Sequence, residues 1–241
     1  MGTGMAIGFQ RVTLAGEVRA EIERRIIAGG IRSGEKLNEA ALAETMGVSR
    51  GTVREAVRML SDSGLIEIIA NRGAFVRRLT VEEIRNLYDL RGAIFAMACA
   101  AFARRMADAP DPAALDALAQ NVDQMREAHA RDQRDRYYEL NIAFHEALIE
   151  GARNDRARSI HDGLVKEMHL FRRRGLSRSL SIAQSIDEHI EILRAVRAGD
   201  AEAARSAALQ HTRLGLTRFE QTLEDNAPDR PGTDSEDYVP L

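Results

Sequence analysis

From Thr80 onward the chain carries apolar residues at three- and four-residue spacing for about 145 residues, with no run that alternates at period two. Such a pattern cannot cover one face of a sheet; it dictates helices that each bury a single stripe. Thr80 is a cap candidate for a long helix to about Asp108, with Val81, Ile84, Leu87/Tyr88, Arg91, Ile94/Phe95 and Ala98 on its inward side. Pro110 and Pro112 break it. Further helices are expected at about 113–130, 133–150, 154–174, 178–198 and 201–224, parted at Gly151–Asn154, Gly175 and Gly199-Asp200. Residues 79–226 thus predict an all-α bundle of about six helices. Residues 227–241, with three prolines and four acidic groups, predict a disordered tail.

Residues 9–78 read differently, because helix and strand signals alternate there at short range. Leu14, Val18, Ile22 and Ile26 share one helix face, which Gly29-Gly30 ends. Asn38 caps a short helix, Glu39 to Met46, with Ala41, Leu42 and Met46 expected inward. After Gly47, Ser49 caps a second helix to Asp62 that points Val53, Ala56, Val57 and Leu60 at the core, and Gly64 closes it. Two β-rich runs, Leu65–Ile69 and Ala74–Arg77, flank the turn residues Asn71-Arg72-Gly73. Helix, helix–turn–helix and hairpin make a winged helix-turn-helix, and the fold class is mainly α.

Charge is divided along the same line. Residues 9–78 hold 12 Lys and Arg against 9 Asp and Glu, residues 79–226 hold 21 against 24, and the tail holds 1 against 4. A mildly basic head on an acidic body suits a polyanion partner for the head. The single cysteine, Cys99, excludes an intrachain disulfide and a cysteine-based zinc site, and reads as a small core residue. No apolar run approaches the ~20 residues that span a bilayer, and residues 1–10 lack a signal-peptide pattern, so a cytoplasmic protein with no membrane partner is expected.

The segment Ser49-Arg50-Gly51-Thr52-Val53-Arg54 has the make-up of a DNA-reading helix start. Arg50 and Arg54 lie four apart on one face, with the hydroxyls of Ser49 and Thr52 beside them and the apolar anchors behind. On its own this is also what a capped, solvated helix looks like. The longer run Leu37-Asn38-Glu39-x-x-Leu42-Ala43-Glu44 through Gly47-Val48-Ser49-Arg50-x-Thr52-Val53-Arg54-Glu55-Ala56-Val57 to Gly64-Leu65-Ile66 resembles the DNA-binding domain of the GntR family of bacterial transcription regulators. The likeness covers residues 11–78, wing included. It implies that Ser49, Arg50, Thr52 and Arg54 contact DNA from the recognition helix, and that Arg72 and Gly73 form the wing tip. Ala40 stands where some members carry a phosphate-binding Arg, and Thr52 replaces a frequent Pro. Leu65, Ile66, Ile68 and Ile69 read as core and hairpin packing.

Three of six histidines fall on inward stripes of the body. His145 joins Asn141, Phe144 and Leu148; His189 joins Ile182, Ile186 and Leu193; His211 joins Ala204, Ala208 and Leu214. Imidazoles aimed at a core are costly unless hydrogen-bonded or ligated, and both outcomes fit the pattern. Asn141 and His145, four apart, could grip one ion. Residues 80–224 resemble the FCD effector domain of the FadR subfamily, through Tyr88-Asp89-Leu90-Arg91, Phe144-His145 with Gly151 and Asn154, Glu188-His189 with Gly199-Asp200-Ala201, and His211. The resemblance implies a divalent metal, zinc or nickel, held by His145, His189 and His211, with Asn141 where relatives place an Asp. A neutral amide there leaves the ion one negative charge short. Phe95 stands where relatives often have Glu. Arg91, on the inward face of the first body helix, is the candidate contact for an acid effector, and Arg172–Arg174 crowd another helix end. His129, His161 and His169 read as surface or hydrogen-bonded.

The expected function is a ligand-responsive transcription regulator, a repressor by family likeness. It would work as a homodimer on palindromic double-stranded DNA and take a small organic acid. Two other readings remain open: a regulator for which the ion is the signal, and a metal-dependent hydrolase. Against the hydrolase, Glu146 and Glu188, the acids nearest the histidines, adjoin them in sequence and are expected to point off their faces.

Overall fold

The computed structural model describes residues 13–27, 29–175 and 179–225, with the side chains of all but 169–175, 179–180 and 225. The expected tail and residues 9–12 lie outside these, as do the side chains of His169 and Arg172–Arg174. The described residues form two compact units that divide between Arg78 and Leu79.

In the first unit α1 (Leu14–Ile27) buries Ala15, Val18, Ile22 and Ile26. Asn38 caps α2 (Glu39–Met46) by accepting from the amides of Ala40 and Ala41, and Gly47 ends it in the left-handed region. Only Ala43 of α2 is buried, whereas Ala41 is exposed and Leu42 and Met46 are half-buried. In eight residues a one-position phase error shifts the whole stripe. Ser49 caps α3 (Arg50–Asp62), whose Val53, Ala56, Val57 and Leu60 are all but inaccessible. Strands β1 (Ile66–Ile69) and β2 (Gly73–Val76) pair antiparallel around a turn in which Asn71 and Gly73 take positive φ. Ile66 is buried but Ile68 is half-exposed, so it does not pack in the core as expected.

The second unit is a helical bundle: α4 (Val81–Asp108), α5 (Pro112–Ala130), α6 (Arg134–Gly151), α7 (Asp155–Gly175), α8 (Ser179–Arg197) and α9 (Ala201–Asp225). A capping box starts α4, with Thr80 and Glu83 each closing on the other's backbone amide. Helix α4 packs along α9, α5 along α6, and α8 along α9. The core runs through Phe95, Phe102, Met125, Tyr137, Phe144, Ile192 and Val196. Leu214, expected on the inward stripe of α9, is 36% exposed; beyond His211 the buried face continues through Arg218, Phe219 and Thr222 instead. No described helix is long and apolar enough to cross a membrane.

The α8–α9 turn depends on Gly199, which sits at φ +70°, where a Cβ would lie 2.8 Å from Ala107 Cβ and 3.2 Å from its Cα. Gly199→Ala is therefore expected to cost at least about 2 kcal/mol, from the left-handed backbone and the close contact together. Gly163→Ala, in α7 with open space around the site, should instead stabilise by about 0.5–1 kcal/mol. Denaturant midpoints of the two variants should move in opposite directions.

Candidate DNA-binding surface and metal centre

On the first unit Arg50, Arg54, Arg72 and Gly73 line one cleft, together with Lys36, Asn38, Glu39 and Asn71. The start of α3 supplies the first two and the β1–β2 turn the next two, so the fold brings together the arginines that sequence placed on separate elements. Ser49 and Thr52 also meet: the Ser49 hydroxyl accepts from the Thr52 amide, and the two hydroxyls are 2.8 Å apart. Arg54 reaches Glu39 at 3.5 Å across an exposed gap, a contact worth little and easily exchanged for a phosphate or base. Lys36 was missed by the sequence reading. It precedes the cap of α2, in an isolated bridge with Phe75, and its ammonium and the Arg72 guanidinium both lie 5.9 Å from the Phe75 ring. Its one sequence signal is a cation two residues before a helix cap.

On the second unit four helices converge their polar side chains in an apolar core. His145 from α6, His189 from α8 and His211 from α9 are each at most 5% exposed, and their ligand nitrogens lie within 4.8 Å of one another. Phe95 stacks tilted on His145 at 4.6 Å, and Phe144 on His189 at 4.5 Å. Arg91 from α4 is 2% exposed and brings Nη2 to 3.2 Å from His145 Nδ1. His145 Nε2 stands 3.2 Å from His211 Nε2, and His211 Nδ1 stands 2.7 Å from Glu188 Oε2. Arg218 closes the row with a bidentate bond to Glu188, at 2.6 and 2.9 Å.

One expectation fails here. Glu188 does not point off the face; it turns into the site and holds His211. A residue adjacent to an inward one is rotated by only about 100° on a helix, which at the α8–α9 seam still aims it inside. Of the two alternatives for His161, surface or hydrogen-bonded, its 1% exposure removes the first; it lines a small cavity with Ile142, His145, Glu146, Asp162 and Val165. Asn141 is buried one turn before His145, with its amide nitrogen 3.4 Å from the Tyr137 hydroxyl. Arg218 went unnoticed because no motif marks it. Cys99 is fully buried, which raises its thiol pKa and leaves it a packing residue.

The electrostatics favour a neutral His211. Burial pushes the His211 imidazole below its ordinary 6.5, against the pull of Glu188. Burial also pushes Glu188 up, but hydrogen bonds from His211 and Arg218 outweigh it and the carboxyl stays below its ordinary range. The three histidines suit a single ion. Two nitrogens bound to one ion at about 2.1 Å stand roughly 3.0–3.4 Å apart at tetrahedral or octahedral angles; His145 Nε2 and His211 Nε2 have that spacing. With an ion held there, Glu188 would be the carboxylate that orients the His211 ring.

Residues 14–76 match the family of bacterial regulatory proteins described as gntR, and residues 86–214 match the FCD domain. The chain is 29% identical over 206 residues to the HTH-type transcriptional repressor RspR of Escherichia coli K12, covering 86% of this chain and 89% of that protein. It is 27% identical over 197 residues to the gluconate operon transcriptional repressor of Bacillus licheniformis, covering 80% of this chain and 79% of that one. A solved structure of a GntR transcriptional regulator from Rhodococcus sp. RHA1 superposes with a TM-score of 0.69 at 27% identity, over 86% of this chain and 97% of the other. A winged helix-turn-helix, a helical bundle and family matches to both place the protein: it belongs to the gntR family of bacterial regulatory proteins, as a DNA-binding transcription regulator with an FCD domain, and is not an enzyme.

Proposed function

We propose that the protein is a ligand-responsive repressor that binds a palindromic operator as a homodimer and leaves it when a small organic acid enters the helical domain. Ser49, Arg50, Thr52 and Arg54 read the major groove, and Arg72 with Gly73 follows the backbone into the minor groove. Lys36 adds a phosphate contact from the same cleft. His145, His189 and His211 hold a divalent ion, zinc or nickel, with Asn141 as fourth ligand, and the acid bridges the ion and Arg91. The observation that carries this reading is the convergence of three buried imidazoles beside Arg91 in the domain attached to the DNA-binding head. Charge supports the acid: Arg91, Arg218 and Glu188 leave the site net positive before any ion arrives, and buried positive charge calls for an anion. The repressor sign follows the names of the two relatives.

The test is operator binding with zinc and small carboxylic acids added separately and together. Release by acid supports the proposal, release by zinc alone would make the ion the signal, and indifference to both would remove the ligand response. Arg50→Ala or Arg54→Ala should each cost ~1–3 kcal/mol of operator affinity where the side chain reads a base edge. Affinity should also fall steeply with salt, which titration in fluorescence anisotropy would measure.

Elemental analysis should find close to one divalent ion per chain, less in His145→Ala, His189→Ala or His211→Ala. Ion affinity should rise from about pH 5 to 7, because an imidazole ligates only when neutral. Asn141 supplies no charge, so ion and acid should bind cooperatively, each raising the other's affinity by the same factor. Asn141→Asp should tighten the ion and weaken the acid in calorimetry. If both affinities stay unchanged, Asn141 lies outside the coordination sphere.

A further inference from the structure

Strand β2 alternates, with Ala74 and Val76 buried and Gly73 and Phe75 on the outward side. A half-buried phenylalanine that faces outward adds little to the core, so its neighbours indicate what it serves. On one side Phe75 stands directly opposite Glu67 of β1. On the other it meets Lys36, because residues 34–37 pair with the second edge of β2. There the Gly34 amide donates to the Val76 carbonyl at 2.8 Å, the Val76 amide to Glu35 at 2.9 Å and the Leu37 amide to Ala74 at 2.8 Å. Residues directly opposite in antiparallel pairing share a face. Backbone bonds therefore fix Lys36 and Phe75 side by side.

Two cations lie close to this ring. Lys36 Nζ and Arg72 Cζ are each 5.9 Å from its centroid, within reach of attraction to the electron-rich ring face. Gly73 leaves the room for it: a Cβ there would stand 3.0 Å from Lys36 Cε. Among the described residues neither cation has a carboxylate partner, in contrast to Arg54, which meets Glu39. Both are exposed, and both line the cleft at the start of α3. A long cation in water loses side-chain freedom when a phosphate takes it, and a ring that holds it beforehand lessens that loss.

Resting on the DNA-binding cleft proposed above, we propose that Phe75 is a positioning residue for DNA. It holds the Lys36 ammonium and the Arg72 guanidinium in place for the phosphates of the duplex. It acts through these two cations and reads no base, so the affinity it supplies is independent of sequence.

The test uses full-length protein and a mixed-sequence DNA duplex, since phosphate contacts need no operator. In fluorescence anisotropy Lys36→Gln and Arg72→Gln should each weaken binding several-fold and lower the salt slope by about 1. Phe75→Leu, which keeps both charges, should weaken binding roughly fivefold at an unchanged salt slope, and Phe75→Tyr, which keeps the ring, should restore it. Added to Lys36→Gln and Arg72→Gln together, Phe75→Leu should cost nothing further. Pentafluorophenylalanine at position 75 reverses the charge of the ring face at similar size. It should match Phe75→Leu, and it serves where the Leu variant does not fold. Full affinity in the Leu or the fluorinated protein, or an equal loss with both cations already removed, would overturn the inference while leaving the cleft as the DNA site. Full affinity in both Lys36→Gln and Arg72→Gln would overturn the wing side of the cleft and the inference together.

Discussion

A helical core that buries polar side chains must satisfy them internally, since water cannot reach to do so. Here two arginines, two histidines and one glutamate do it by lining up in hydrogen-bonding contact, between a terminal cation and an anion clamped by a second cation. Everything around the site serves that line. Helices α4, α6, α8 and α9 each contribute a member, so their mutual register is fixed by hydrogen-bond geometry as well as by apolar packing. Phe95 and Phe144 fill the remaining space against the rings and exclude solvent, which strengthens each bond in the row.

How far this was readable from sequence depends on what each residue type reports. Periodicity reports which side of a helix is apolar, and that was enough to place Arg91, His145, His189 and His211 inside one bundle. It does not report which neighbour a side chain will meet. Glu188 shows the gap: next to His189 in sequence it reads as a residue off the stripe, yet at a seam between two helices the off-stripe position is also interior. His161 and Arg218 were opaque for a related reason, since each is a polar residue on a helix with ample polar surface and only tertiary packing singles it out. In the head, cap residues and glycines mark boundaries directly, so Asn38, Ser49, Gly47 and Gly64 were all legible. Ala41 and Ile68 were not, because a short element gives too few turns to fix its phase.

The head and the body differ in how they hold charge, and the difference suits their tasks. Around the cleft of Arg50, Arg54 and Arg72 the charges are exposed and weakly paired, ready to be exchanged for phosphates with release of counterions. In the body the Glu188–Arg218 pair is largely buried and held at short distance, where its interaction is several times stronger and leaves little freedom. One arrangement suits reversible capture of a polymer, whereas the other fixes its members in place.

The row of polar contacts through the bundle also constrains how the gene can drift. A change at one member alters what its neighbours can bond to, so substitutions at positions 91, 145, 188, 211 and 218 are expected to be non-additive. Neutral wandering through single intermediates is then closed for these five positions, while the apolar stripes that frame them remain free to trade one aliphatic residue for another. Lineages that alter this cluster are expected to replace it as a block, and those that keep it to vary everywhere else first.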